Sequence, residues 1–216
     1  MRATLDGPGN EDVNLYVASF SEQSDSLSQW RAYGGTSSGF SLGFAASQLS
    51  LPERFKIARC IYEENKQRSI ANALVDEVLQ SVPPIAAEAS NQQLAEVYLR
   101  VSLLSGLHRL ALAFKHPKFS EEREWRVIPD VRMDKAPAYP VPGEPKLEFR
   151  EGRSMLVPYH RVALRDTQGN FPLSEIVVGP NPNPKQSERS AQSLLDSDRD
   201  LARVRVRSSD VPYRNW

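Results

Sequence analysis

Apolar and polar residues follow two different periods along this chain, and the change of period divides it into three stretches. The front stretch reads as strands. Residues 15–20 are apolar and aromatic, residues 40–44 alternate with period two as a half-buried strand does, and residues 55–62 supply a third strand. Between the first two lie a polar turn region, residues 21–28, and a loop by composition, residues 34–39. The middle stretch switches to helical spacing. Ile70, Leu74 and Val78 recur every fourth residue beside Ala71, Val75 and Leu79, which makes one apolar stripe. In a longer helix Leu94, Val97, Val101, Leu104, Leu107, Ala111 and Phe114 recur every three or four residues. Pro83 and Pro84 separate the two helices, because proline lacks the amide donor a continuing helix needs.

The last stretch returns to strands, at residues 125–128, 146–149, 154–159 and 176–178, with a proline-rich loop over 137–145. A rigid Gly-Pro-Asn-Pro-Asn-Pro loop, residues 179–184, precedes a short helix over 186–195. Val204 and Val206 then alternate with Arg203, Arg205 and Arg207 in a final strand. Strands, two helices and strands again predict an α+β fold, a mixed and largely antiparallel sheet with two central helices packed on it. No linker poor in apolar residues interrupts the pattern, so the expectation is a loose lead-in over 1–14 and a single domain over 15–216.

Composition narrows the partners. The 216 residues are 40% hydrophobic, too apolar for a disordered chain. The 27 basic residues balance 27 acidic ones, so no global field draws the protein to nucleic acid or an anionic membrane, and such a partner must be met by a local patch. Cys60 is alone, which rules out an intrachain disulfide and a cysteine zinc cage, and its strand context reads as a small buried hydrophobe. There is no run of 18 apolar residues and no signal-peptide pattern, from which no membrane partner and a cytoplasmic location are expected.

Several motifs carry less than they promise. Residues 35–39 spell G-x-S-x-G, but that nucleophile elbow needs a strand before it and a helix after, whereas here a polar loop precedes and a strand follows. His108, His116 and His160 share no ligand spacing, so no metal site is assigned. Neither common glycine-rich phosphate loop occurs. The arginine alternation from Arg203 to Arg207 reads either as a nucleic-acid stripe or as the solvated face of an edge strand.

The run Glu121-Glu122-Arg123-Glu124-Trp125-Arg126-Val127-Ile128 is more informative. Alternation along a strand puts Glu124, Arg126 and Ile128 on one face and Trp125 and Val127 on the other. Glu122 joins the first face if the extended conformation begins early. The result is a surface ladder of ion pairs, or a site where one carboxylate does chemistry while arginine holds an anion. Ser19, Ser21, Asp25, Trp30, Arg31 and Tyr33 crowd the front segment, where the aromatics either fill a core edge or wall a pocket that stacks a ring.

These residues resemble a bacterial family catalogued as domain of unknown function 2971. The similar blocks are residues 17–22, 25–27, Trp30, Tyr33 and 39–44, then Lys115 with 119–128, then Phe149-Arg150, Tyr159, 176–180 and 209–214. Members usually carry a further amino-terminal stretch, and only about fourteen residues precede the first strand here, so the resemblance implies that this segment is lacking. The serines after a strand and the Glu122-Arg123-Glu124 element also look like those of ADP-ribosyltransferases. That likeness implies an NAD- or nucleotide-handling transferase of toxin or phage-defence type, with NAD as substrate. Glu124 would stabilise the oxocarbenium ion and Glu122 would orient the acceptor. Ser19 and Ser21 would be the serine elements, and Trp30 or Tyr33 would stack on nicotinamide. Lys115, Arg126 or Arg150 would hold the pyrophosphate. The competing expectation is a non-catalytic module that binds a nucleotide, nucleic acid or protein through the same face.

Overall fold

A computed structural model describes residues 16–34, 39–53, 55–81, 89–129 and 147–212. The lead-in over 1–14, the G-x-S-x-G serine, the Pro83-Pro84 break and the proline-rich loop lie outside the described residues. The class is α+β, as the change of period predicts, with the strands distributed over three small sheets. The chain forms two compact units. One comprises Met1–Phe20, Arg54–Ser120 and Glu124–Arg161, and the other Ser21–Glu53, Glu121–Arg123 and Val162–Trp216.

In the first unit β1 (Ala18–Ser21), β4 (Glu124–Pro129) and β3 (Phe55–Arg59) form a sheet with β4 in the middle. β3 and β4 are antiparallel, with Arg59 opposite Trp125 and Phe55 opposite Pro129. β5 (Leu147–Glu151) and β6 (Leu156–His160) make a separate antiparallel hairpin. The helices α2 (Glu64–Ser81) and α3 (Ala89–Ala113) pack together, and α3 also meets β4. A side chain at Gly106 would occupy the space of Leu74, so the glycine lets the two helices approach. The predicted apolar stripe of α3 is largely exposed, Leu107 and Ala111 included, and the buried positions near the helix end, Ser105 and Leu112, lie beside it. Leu112 is 8% exposed, whereas Leu94 is 68% and Val97 58% exposed. No helix among the described residues is long and apolar enough to cross a membrane.

The second unit holds β2 (Phe40–Phe44), β7 (Leu173–Val178) and β8 (Arg205–Ser208) in that order. β2 runs antiparallel to β7, and β8 runs parallel to it. Parallel neighbours require a crossover, and α4 (Pro184–Asp196) supplies it. Proline at the first turn of α4 removes an amide that would have no partner there anyway. The core gathers Leu173, Ile176, Leu195 and Val204, with Phe44, Leu201 and Val206 against them. This unit also contains a short helix, α1 (Leu27–Tyr33), where the composition reads as a polar turn leading into aromatics.

Candidate functional site

β4 opens at Glu124, immediately after a 3-10 turn, Pro117–Glu122, and after Arg123 at φ 43°. A left-handed conformation is uncommon for a residue with a side chain, and here it marks the sharp change from turn to strand. The backbone of Glu124 is fastened at both ends: its N–H donates to Tyr62 Oη at 2.8 Å, and its carbonyl accepts from Cys60 N–H at 2.8 Å. Glu124 and Arg126 are two residues apart on one strand, so their side chains share a face.

Four donors converge on the Glu124 carboxylate. Ser19 Oγ of β1 donates to Oε1 at 2.5 Å. Arg126 approaches in a fork, Nε to Oε1 at 2.8 Å and Nη2 to Oε2 at 3.3 Å. Lys115 Nζ forms an ion pair with Oε2. Lys115 is delivered by the end of α3, which is stitched to the chain after β3. Ile61 N–H donates to the Ala113 carbonyl at 2.9 Å, and Lys115 N–H donates to the Ile61 carbonyl at 3.1 Å. Gln67 of α2 reaches across with its amide to the carbonyls of Ile61, at 2.5 Å, and Lys115, at 2.9 Å. Arg126 Nη1 donates to the Leu112 carbonyl in the last turn of α3 at 2.7 Å, where the helix dipole favours a cation.

This arrangement sets the charge states. Burial alone would push the Glu124 carboxyl up, but hydrogen bonds from Arg126, Lys115 and Ser19 and the arginine charge outweigh it and hold it at about 2. Burial likewise opposes the charge on Arg126, and the carboxylate beside it more than restores it. Burial raises the Tyr62 phenol. Two cations against one carboxylate leave the cluster with an excess of one positive charge. Glu124 is only 5% exposed, but Ser19 is exposed, so the group lies one layer beneath the surface.

The other expected residues distribute differently. Ser21 Oγ donates to the backbone carbonyl of Glu122 at 2.7 Å. Glu122 closes the 3-10 turn, so strand alternation does not carry it onto the face of Glu124: the extended conformation begins too late. Trp30 donates its Nε1–H to Asp25 Oδ1 at 2.6 Å, and Tyr33 is 78% exposed. Arg150 is exposed on β5, in the hairpin and not in the three-stranded sheet. Asp25 itself anchors a second polar cluster. Burial raises its carboxyl, but Ser209, Trp30, the Asp210 amide and Arg207 together hold it below the usual range. Arg207 also bonds Glu175 at 3.1 Å and Ser24 at 3.0 Å, and Arg203 faces Asp166, so the arginine stripe is largely paired within its own unit. An open groove of about 680 Å³ runs past Asp25, Leu27, Arg207 and Pro212. Tyr62 and Gln67 were not singled out from the sequence. A tyrosine closing a strand and a glutamine in a helix's first turns give no local signal of what they touch.

Residues 29–127 match the model of the family described as protein of unknown function (DUF2971). Over that stretch the chain resembles DUF2971. The matched stretch contains Lys115, Glu124 and Arg126 together with Tyr62 and Gln67, whereas Ser19 falls before it. The buried carboxylate and both of its cations therefore lie within the stretch that is similar to that family. No curated protein and no solved structure matches the chain.

Proposed function

We propose that the chain is an NAD- or nucleotide-handling transferase with ADP-ribosyltransferase-like chemistry centred on Glu124. One observation carries the reading: an ionised, buried carboxylate at a strand entrance, held by a serine hydroxyl and flanked by two cations. Lys115 and Arg126 take the pyrophosphate, for which the forked guanidinium and the ammonium are suited. In the unliganded cluster the excess positive charge opposes a cationic transition state. A bound pyrophosphate, with two negative charges, reverses that sign and leaves the Glu124 carboxylate effective. The bond between nicotinamide nitrogen and the ribose carbon then breaks with its electron pair leaving on nicotinamide. The carboxylate stabilises the resulting oxocarbenium ion until an acceptor oxygen or nitrogen attacks it and releases its proton.

The test is to incubate the full chain with NAD and follow nicotinamide release by chromatography, in the wild type and in Ser19→Ala and Glu124→Gln variants. Release in the wild type that falls 100-fold or more in Glu124→Gln, about the loss expected for a preorganised charge, supports the reading. A second reading, a non-catalytic nucleotide-binding module, is favoured by the saturation of Glu124: a carboxylate has about four acceptor sites, and four donors already meet it. ADP-ribose binding that depends on Lys115 and Arg126, without nicotinamide release, decides for the module.

A further inference from the structure

We infer that Phe119 is the ring-stacking residue of the Lys115–Arg126 site, so that the ligand is a nucleotide whose base and phosphate are read together. This rests on the proposed nucleotide reading and deepens it. Single exposed aromatics are ordinary on protein surfaces. Phe119 is set apart by its surroundings. The residue is 50% exposed, yet the Lys115 ammonium, the same group that pairs with Glu124, stands over its ring at 5.2 Å from the centroid. At that distance the ammonium and the ring attract each other, and the Glu124 carboxylate holds the ammonium in place.

The ring is also preorganised. Phe119 lies in the 3-10 turn Pro117–Glu122, and its N–H donates to the His116 carbonyl at 3.0 Å. The His116 imidazole meets the Phe119 ring edge-on, centroids 6.4 Å apart and planes at 79°. That imidazole is itself held, because Lys118 N–H donates to its Nδ1 at 3.2 Å. A rigid, half-wet aromatic beside an anion-binding cation is what a planar base on a phosphorylated sugar requires: stacking for the base, charge for the phosphate. Trp30, tied to Asp25, and Tyr33 belong to the other unit, whereas Phe119, Lys115, Glu124 and Arg126 belong to one.

The experiment is calorimetric titration of the full chain with AMP and, separately, with ribose 5-phosphate, which has the same phosphate and sugar but no base. Wild type, Phe119→Leu, Phe119→Tyr and Lys115→Met are compared, each checked to be fully folded at the titration temperature. AMP is expected to bind the wild type about tenfold or more tighter than ribose 5-phosphate. Phe119→Leu should remove that advantage while leaving ribose 5-phosphate binding as it was, and Phe119→Tyr should retain it. Equal affinity of the wild type for both ligands, with both lost in Lys115→Met, overturns the stacking role and leaves the anion site standing. Equal weakening of both ligands in Phe119→Leu also overturns it, since the ring would then act only by placing Lys115. If neither ligand binds the wild type, the nucleotide reading falls and the stacking role with it.

Discussion

Replacing Glu124 with glutamine keeps the shape of the side chain and removes one charge from a cluster of three. Glu124 is 6% exposed in its side chain, and Lys115 and Arg126 are 17% each, so the variant leaves two nearly buried cations without a counter-charge. Breaking a buried pair from one side costs about 3–5 kcal/mol. An independent route gives a similar figure. The carboxyl titrates at about 2 in the fold against a reference of 4.5, a difference worth about 3 kcal/mol. Because the folded pKa is depressed, that stabilisation is complete above about pH 4.5 and is lost as the pH falls toward 2. Wild type and Glu124→Gln should therefore differ by about 3 kcal/mol in urea unfolding at pH 7 and converge between those two pH values. Trp125, next in the strand, contributes to the tryptophan fluorescence that follows unfolding. Adding Lys115→Met to Glu124→Gln should recover part of the loss, since it removes one of the stranded cations. A gap below about 1 kcal/mol at pH 7, the range of an exposed ion pair, would refute the reasoning. A gap that persists unchanged to pH 2.5 would refute it equally.

Two further substitutions probe the frames around the polar clusters. A Cβ at Gly179 would lie 2.9 Å from the Gly39 carbonyl oxygen and 2.9 Å from the Trp30 ring, so Gly179→Ala should lower stability by about 1–3 kcal/mol in a denaturant melt. Gln67→Leu removes the amide that ties the Ile61 and Lys115 carbonyls together. The Ile61 oxygen keeps the Lys115 amide as a donor, so the expected loss of about 1–2 kcal/mol falls mainly on Lys115, and ADP-ribose affinity measured by titration should drop with it.

The two long helices were legible because apolar residues recur at helical spacing over residues 70–79 and 94–111, inside elements of 18 and 25 residues. Strand alternation likewise places Glu124 and Arg126 on one face, where the fork between them forms. Glu122 escaped that logic because Arg123 takes a left-handed turn without the glycine or asparagine that normally announces one. The division of the strands into three small sheets was not legible either, since alternation identifies a strand without naming its neighbour. Ser19 meets Glu124 across 105 residues of sequence, and only the β1-β4 pairing brings them together. Lys115 is placed by the parallel bridge between Ile61 and Phe114 at the end of α3 and by the Gln67 amide on its carbonyl, neither of which spacing reveals. Yet one part of the site follows from physics once the sheet order is known. A glutamate on the middle strand of three is drawn out of water, and a buried carboxylate stays ionised only with opposite charge against it. Arg126, two residues along the same strand, supplies one such charge. The Leu112 carbonyl near the end of α3 then holds Arg126 in place, so the helix that delivers Lys115 also orients the other cation.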